Sequence, residues 1–190
     1  IIPKLRGSYV SRPIQEIVDE AKKLAKQGVK EIVLIAQDTS KYGLDLYKEK
    51  KLPTLLRQLS QIDGIQWIRF LYTYPEDITK ELIEEVKNND KVCSYFDIPI
   101  QHASDRILKL MNRSTDKKEI SDKINLIRDN IKDAIIRTTL IAGFPTESDE
   151  DIEELADFVK DMKFDKLGVF PYSKEEGTKA GNMDGQIDQD

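Results

Sequence analysis

The hydrophobic pattern of this chain changes period repeatedly, and that alternation limits its fold more than any other feature. From Pro13 to Gln27 the apolar positions Ile14, Ile17, Val18, Ala21, Leu24 and Ala25 recur every three or four residues. Such a stripe predicts an amphipathic helix, and Gly28 predicts its end. Lys30 to Ala36 is then a short β-branched run, expected to be a buried strand of parallel type. The same exchange continues down the chain. A helical pattern covers Pro53 to Ile62, a strand Trp67 to Tyr72, and a helix runs through Leu82, Ile83 and Val86. A strand follows at Val92 to Ile98, then helical stretches near Asp105 to Met111 and Lys117 to Ile131. Ile135 to Ala142 reads as a strand, Ser148 to Met162 as a helix and Lys166 to Phe170 as a last strand. Strands separated by helices cannot be hairpin partners, so the expectation is a parallel α/β sheet. No sequence repeat of fixed period is present.

A parallel sheet can be open and doubly wound, or curved into a barrel. The glycine-rich fingerprint of a dinucleotide fold is missing after the first strand, which disfavours the doubly wound form. The polar residues point the same way. Gln37-Asp38-Thr39, Thr73-Tyr74, Gln101-His102, Gly143-Phe144-Pro145 and Tyr172-Ser173 each follow the C-terminal end of a strand. In a (β/α) barrel that end carries the active site.

Composition narrows the function. A net charge of −5 argues against a chain that grips nucleic acid unaided, since such domains present a basic face. No apolar run approaches the roughly 18 residues of a membrane span, and no signal peptide is visible. A cytoplasmic protein is expected. One cysteine, Cys93, excludes an internal disulfide framework, and one histidine, His102, excludes a histidine metal cluster. IIPKLRGSYVSRP has neither a Met nor a helix start before Ser11-Arg12-Pro13, and TKAGNMDGQIDQD reads as a linker. The expected organisation is a core over residues 1–178 of a longer protein, with residues 179–190 leading to a further domain.

Several residues admit two readings. At a strand mouth, Gln37 and Asp38 can bind an ammonium group or a ribose hydroxyl, or Asp38 can cap the following turn. His102 can be catalytic or structural, while Ser104 and Asp105 form an N-cap pattern. Gly143 permits close approach of a ligand or another backbone. Glu147, Asp149, Glu150 and Asp151 crowd the first turn of a helix and read as capping residues rather than an acid–base pair. Arg137 lies inside a strand, a costly place unless it is paired. It either meets a carboxylate within the barrel, the favoured reading, or lies exposed near the strand's start. Cys93 reads as a small buried hydrophobe.

IPKLRGSYVSRP, IAQDTSKYG, LYTYPEDIT, DIPIQHASDRILKLMNR, IRTTLIAGFPTES and FDKLGVFPYSKEEGT resemble, in order and spacing, the radical S-adenosylmethionine methylthiotransferases. Within that family the chain is similar to the RimO type, which methylthiolates an aspartate of ribosomal protein uS12. The resemblance runs from Ile1 to about Ala180, and IAQDT and IQHASD separate it from the tRNA-modifying MiaB type. The resemblance implies a partial TIM-like (β/α)6 radical-SAM barrel, here lacking its first strand, with S-adenosylmethionine at the mouth. It implies a [4Fe–4S] cluster held by a CxxxCxxC loop, a second cluster in an N-terminal domain and a C-terminal TRAM domain. Hydrogen is abstracted in the family by a radical made from the cofactor.

By position, Gln37 and Asp38 would meet the methionine amino group, and Gln101 with Ser104 the ribose or carboxylate. Ile141 and Gly143 would lie beside the adenine, with Tyr172 at the same rim and Arg137 pairing with the cofactor carboxylate. No catalytic residue and no metal ligand is assigned. Thr146 stands where the family commonly has Gly, and the CxxxCxxC loop would end just before Ile2-Pro3. Cys93 cannot replace it, because one thiolate cannot hold a cubane cluster. By itself the chain is therefore expected to be inert, and prone to associate through a free sheet edge. The implied partner is uS12, a basic protein suited to an acidic enzyme; no electron donor is indicated. The alternatives are a tRNA methylthiotransferase and a cluster-free barrel acting as a binding module. An aldolase-like barrel lacks a strand-end lysine suited to a Schiff base.

Overall fold

Each predicted strand is present in a computed structural model that describes residues 7–187, and all pair in parallel. The elements are α1 (Ile14–Lys26), β1 (Glu31–Leu34), α2 (Leu44–Tyr47), α3 (Leu52–Ser60), β2 (Trp67–Phe70), α4 (Lys80–Asn88), β3 (Tyr95–Asp97), α5 (Asp105–Leu110), α6 (Lys117–Asn130), β4 (Ile135–Ala142), α7 (Asp149–Met162) and β5 (Lys166–Pro171). Strand β1 pairs with β2 from Glu31↔Trp67 to Leu34↔Phe70. Strand β4 pairs with β3 on one side and β5 on the other. The two ladders touch where Ile68 N–H donates to Lys91 O (2.7 Å) and Cys93 N–H to Ile68 O (2.9 Å). The order therefore follows the chain, as right-handed βαβ crossovers produce. The barrel is not closed: β1 and β5 each have one strand partner among the described residues.

The helices start where their caps dictate. Thr79 accepts from Leu82 N–H at the head of α4 (3.1 Å). Asp116 with Glu119, and Ser148 with Asp151, close capping boxes on α6 and α7. Residues of alternating parity on each strand then face the helices. Ile68 and Phe70, Phe96 and Ile98, and Ile136 and Leu140 are buried against Leu56, Leu59, Ile83, Ile124 and Leu155. The Phe70 and Phe96 rings meet edge to face at 5.7 Å.

The opposite face of the sheet carries Val33, Trp67, Arg69, Tyr95, Asp97, Arg137, Thr139 and Ile141. The expectation that β1 is buried on both faces fails there. Val33 is 42% and Ile35 67% exposed, because helices cover one face only and β2 one edge only. Cys93 is half-buried rather than buried. The short helix α2 has no counterpart in the sequence reading. Residues 180–187, read as linker, return to the body of the fold, where Thr146 N–H donates to Gly185 O (2.8 Å). The start at Ile1-Ile2-Pro3 lies outside the described residues.

Phe96 is wholly buried between the strands and the helical layer. Phe96→Ala is expected to cost about 3–5 kcal/mol in urea unfolding; a cost under about 1 kcal/mol would mean the core is not closed around it.

Candidate functional site

Beyond β2, β3 and β4 the backbone enters the left-handed region at Tyr72 (φ 60°), Gln101 (φ 71°) and Gly143 (φ 78°). For Tyr and Gln this costs roughly 1–2 kcal/mol and persists only where neighbours hold it. Tyr72 N–H donates to Asp97 Oδ2 (3.1 Å), and Tyr72 O accepts from Thr39 N–H (3.0 Å). Gln101 N–H donates to Thr139 O (2.9 Å), and Gln101 O accepts from Ile141 N–H (2.8 Å). The result is a cleft of about 200 Å³ over the strand ends, lined by Gln37, Tyr72–Tyr74, Pro99, Gln101, Arg113 and Thr139. A wider cavity of about 510 Å³ lies on the other side of Tyr74, between Tyr9, Gln37, Asp38 and Lys41.

Gln37 and Gln101 are thus brought to one cleft, and Gln37 also lines the second cavity. Asp38 caps the following turn. Its Oδ1 accepts from Ser40 N–H (3.0 Å) and from the Ser40 hydroxyl, as a turn cap does. Its Oδ2 pairs with Lys41 Nζ (3.1 Å), which also reaches Asp77 (3.3 Å). Burial works against the Lys41 charge, but Asp38 and Asp77 outweigh it and raise its pKa. Arg137 meets Asp97 Oδ1 at 3.1 Å, the first of its two alternatives. Its carboxylate partner is therefore a residue of this chain.

Ser104 is not among the residues lining that cleft. Its hydroxyl is buried and donates to Asp151 Oδ1 (2.7 Å), away from the cleft. Asp151 also accepts from Ser148 and Arg106. Burial pushes the Asp151 carboxyl up, but these hydrogen bonds outweigh it and hold the group well below the usual carboxylate range. His102 is fully buried beside it. Its Nδ1 accepts from Ser104 N–H (2.9 Å), so Nε2 carries the proton and donates to Glu147 Oε1 (2.9 Å). The other Glu147 oxygen accepts from Gly143 N–H (2.5 Å). Glu147 is therefore no helix cap; it fixes the turn after β4.

Thr146 itself sits at φ 70°, the conformation a glycine would adopt freely. Arg106 donates to its carbonyl (2.8 Å) and holds it there. Ile141 lies in β4, and Gly143 and Tyr172 directly follow β4 and β5; none of the three lines the Gln37–Gln101 cleft. Tyr172 packs edge-on against Phe144 at 5.4 Å.

Tyr74 and Arg113 are among the cleft residues left unassigned in the sequence reading. Tyr74 has Lys41 Nζ 5.2 Å from its ring centroid and Arg113 Cζ also 5.2 Å from it, a cation–π arrangement with two donors. Arg113 ends the quoted run DIPIQHASDRILKLMNR, and the Asn112 before it was the available signal, since Asn readily takes the left-handed helix-ending position.

The sequence matches the radical SAM superfamily over residues 2–159. The chain belongs to the radical SAM superfamily. Among curated proteins it is 60% identical over 190 residues to the ribosomal protein uS12 methylthiotransferase RimO of Clostridioides difficile (strain 630), covering 43% of that protein. It is 58% identical over 186 residues to the RimO of Alkaliphilus oremlandii (strain OhILAs), covering 98% of this chain and 42% of that one. The RimO-type resemblance stands on these identities. The chain spans less than half the length of these relatives.

Solved radical SAM structures share the fold. The methyltransferase TsrM from Kitasatospora setae, with cobalamin and a [4Fe-4S] cluster bound, gives a TM-score of 0.68 at 16% identity, over 87% of this chain and 32% of that one. Coproporphyrinogen III oxidase (HemN) from Escherichia coli gives 0.56 at 17% identity, over 88% and 40%. The open sheet of parallel strands is a partial radical-SAM fold.

Two substitutions probe the charges of this radical SAM shell. Asp97→Ala leaves Tyr72 N–H and Arg137 without their partner and is expected to cost about 3 kcal/mol in urea unfolding. A loss below about 1 kcal/mol would remove Asp97 from that role. The depressed pKa of Asp151 gives a signed pH dependence. Its stabilisation is complete above the unfolded-state value of about 4 and is lost as pH falls from there through the folded value. The stability gap between the wild type and Asp151→Asn should therefore be full at neutral pH and shrink on acidification; a gap independent of pH would contradict the assignment.

Proposed function

We propose that this chain forms the S-adenosylmethionine-binding shell of a methylthiotransferase acting on the β-carbon of an aspartate in ribosomal protein uS12, in the cytoplasm. The 60% identity to a uS12 methylthiotransferase across all 190 residues carries this reading. In it, residues 1–178 are the core and 179–190 lead towards a further domain.

The cleft residues suit the cofactor. The amides of Gln37 and Gln101 and the hydroxyl of Thr139 offer donors and acceptors to its amino-acid and ribose groups. Asp38, held by Lys41 in the adjoining cavity that Gln37 also lines, would offer a carboxylate edge for the amino group. Ile141, Gly143 and Tyr172 would flank the adenine. Arg137 keeps the open face of the sheet neutral through Asp97 and does not need the cofactor carboxylate. When bound, S-adenosylmethionine supplies the hydrogen-abstracting chemistry of the family.

The iron–sulfur cluster does not fit these residues. No grouping of three or more His, Cys, Asp or Glu suited to a metal ion occurs among the described residues. Cys93, the one cysteine of the sequence, has its thiol pushed up by burial, with Arg69 opposing, whereas cluster ligands are thiolates. In this reading the thiolates come from outside the 190 residues, and the chain alone is inactive.

The test uses the full-length protein encoded by the gene, reconstituted with iron and sulfide under reduction. It is given S-adenosylmethionine with either uS12 or tRNA, and products are read by mass spectrometry. A methylthio group on one aspartate of uS12 is expected. Modification of a tRNA adenosine alone would replace this reading with the tRNA one, and no methylthiolation of either would overturn both.

A further inference from the structure

We propose that residues 175–186 form a strap that closes over the turn between β4 and α7 through Gly185, and that its closure tunes cofactor affinity. Gly185 is then a positioning residue, acting through Thr146, and the assignment rests on the reading that places Gly143 beside the cofactor. The strap holds its own shape by local bonds. Glu175 O accepts from the Thr178 hydroxyl (2.7 Å), and that hydroxyl accepts from Gly181 N–H (2.9 Å). The Gln186 amide donates back to Ala180 O (3.0 Å) and Met183 O (2.9 Å). Gly181 is buried inside, where a Cβ would collide with Glu175 O.

Among the described residues, one hydrogen bond ties this unit to the rest of the fold, from Thr146 N–H to Gly185 O (2.8 Å). Glycine is needed at 185 on two counts. Its φ is +71°, and a Cβ there would stand 3.0 Å from Thr146 Cγ2. Thr146 in turn is left-handed, which a residue with a side chain sustains only when its neighbours hold it. Arg106 holds its carbonyl (2.8 Å) and hydroxyl (3.3 Å), and Gly185 holds its amide. The same turn begins at Gly143. Glu147 ties it together, donating its N–H to Phe144 O (2.9 Å) and accepting from Gly143 N–H (2.5 Å). Opening the strap removes one of the two restraints on Thr146 and lets the turn relax, Gly143 included.

A compact unit held by one hydrogen bond is a two-state element, closed in preference to open by about three- to tenfold. A ligand seated against the closed turn draws the strap shut, and by reciprocity the closed strap binds that ligand more tightly. In the proposed reading the strap also leads towards a further domain, so cofactor occupancy and the placement of that domain bias each other.

Amide hydrogen exchange and calorimetry on the full-length protein test this with S-adenosylmethionine. In the wild type, the cofactor should slow exchange of the Thr146 amide and of residues 175–186 together, by about three- to tenfold. Gly185→Ala should erase that slowing and weaken cofactor binding by a similar factor. Thr146→Ser removes Cγ2 and keeps the hydroxyl for Arg106. Combined with Gly185→Ala it should restore part of both effects, a recovery that a general loss of stability would not show.

A strap whose exchange is indifferent to bound cofactor overturns the proposal and leaves the methylthiotransferase reading intact, as does Gly185→Ala with wild-type affinity. Should Gly185→Ala fail to fold, the wild-type exchange result decides alone. A wild type that binds no S-adenosylmethionine sinks the functional reading, and the strap with it.

Discussion

One buried carboxylate, Asp97, joins the parts of this sheet on which the cleft depends. The ladder between β2 and β3 lapses after Ile68, and the next direct backbone bond is Thr73 N–H to Asp97 O at 2.9 Å. In the gap, Tyr72 N–H has no backbone partner on β3. Asp97 Oδ2 takes that hydrogen bond, and Oδ1 takes Arg137 from β4. A fully buried charge is tolerated only when paired and hydrogen-bonded. The three strands are therefore held in one relative position by the requirement to satisfy it. The left-handed turn at Tyr72 follows, and that turn carries Tyr74 to the wall between the two cavities.

A second polar layer performs the same task behind β4. Glu147 takes the Gly143 amide with one oxygen and the His102 ring with the other. Asp151 gathers Ser104, Ser148 and Arg106. Each carboxylate satisfies donors from segments about 45 residues apart, since His102 and Glu147 are separated by 45 positions. Ser104 and His102 both belong to this layer, which holds the turn after β4.

The alternation of helix and strand was legible because each element's period depends on its own burial, and the helix starts were legible because caps are local. What failed were properties set by distant neighbours. Lys30 to Ala36 reads as a buried strand, but nothing in those residues says how many strands flank them. Ser104-Asp105 has the local form of an N-cap, yet the Ser104 hydroxyl is claimed by Asp151, whose position the fold decides. Arg113 was passed over for a similar reason. Arginine after a helical run is ordinarily a solvated helix end, and only the left-handed Asn112 returns it to the cleft. The rim position of Gln37 was visible because it depended on one fact, that parallel strands share the direction of their ends.

The charges near the cleft are neutralised pair by pair, and this is what gives the cleft its electrical character. Glu31 meets Arg69, Asp97 meets Arg137, and Lys41 with Lys50 meets Asp38 and Asp77. Each pair is a close dipole whose field falls off faster with distance than that of a lone charge. A single unpaired guanidinium among them dominates the potential in the space it borders, because the partly buried setting screens it less than water would. Pairing also ties each of these neighbouring carboxylates to its own cation rather than to Arg113. The ion pairs that hold the strands in place thus leave the Arg113 guanidinium as the one charged group lining the cleft.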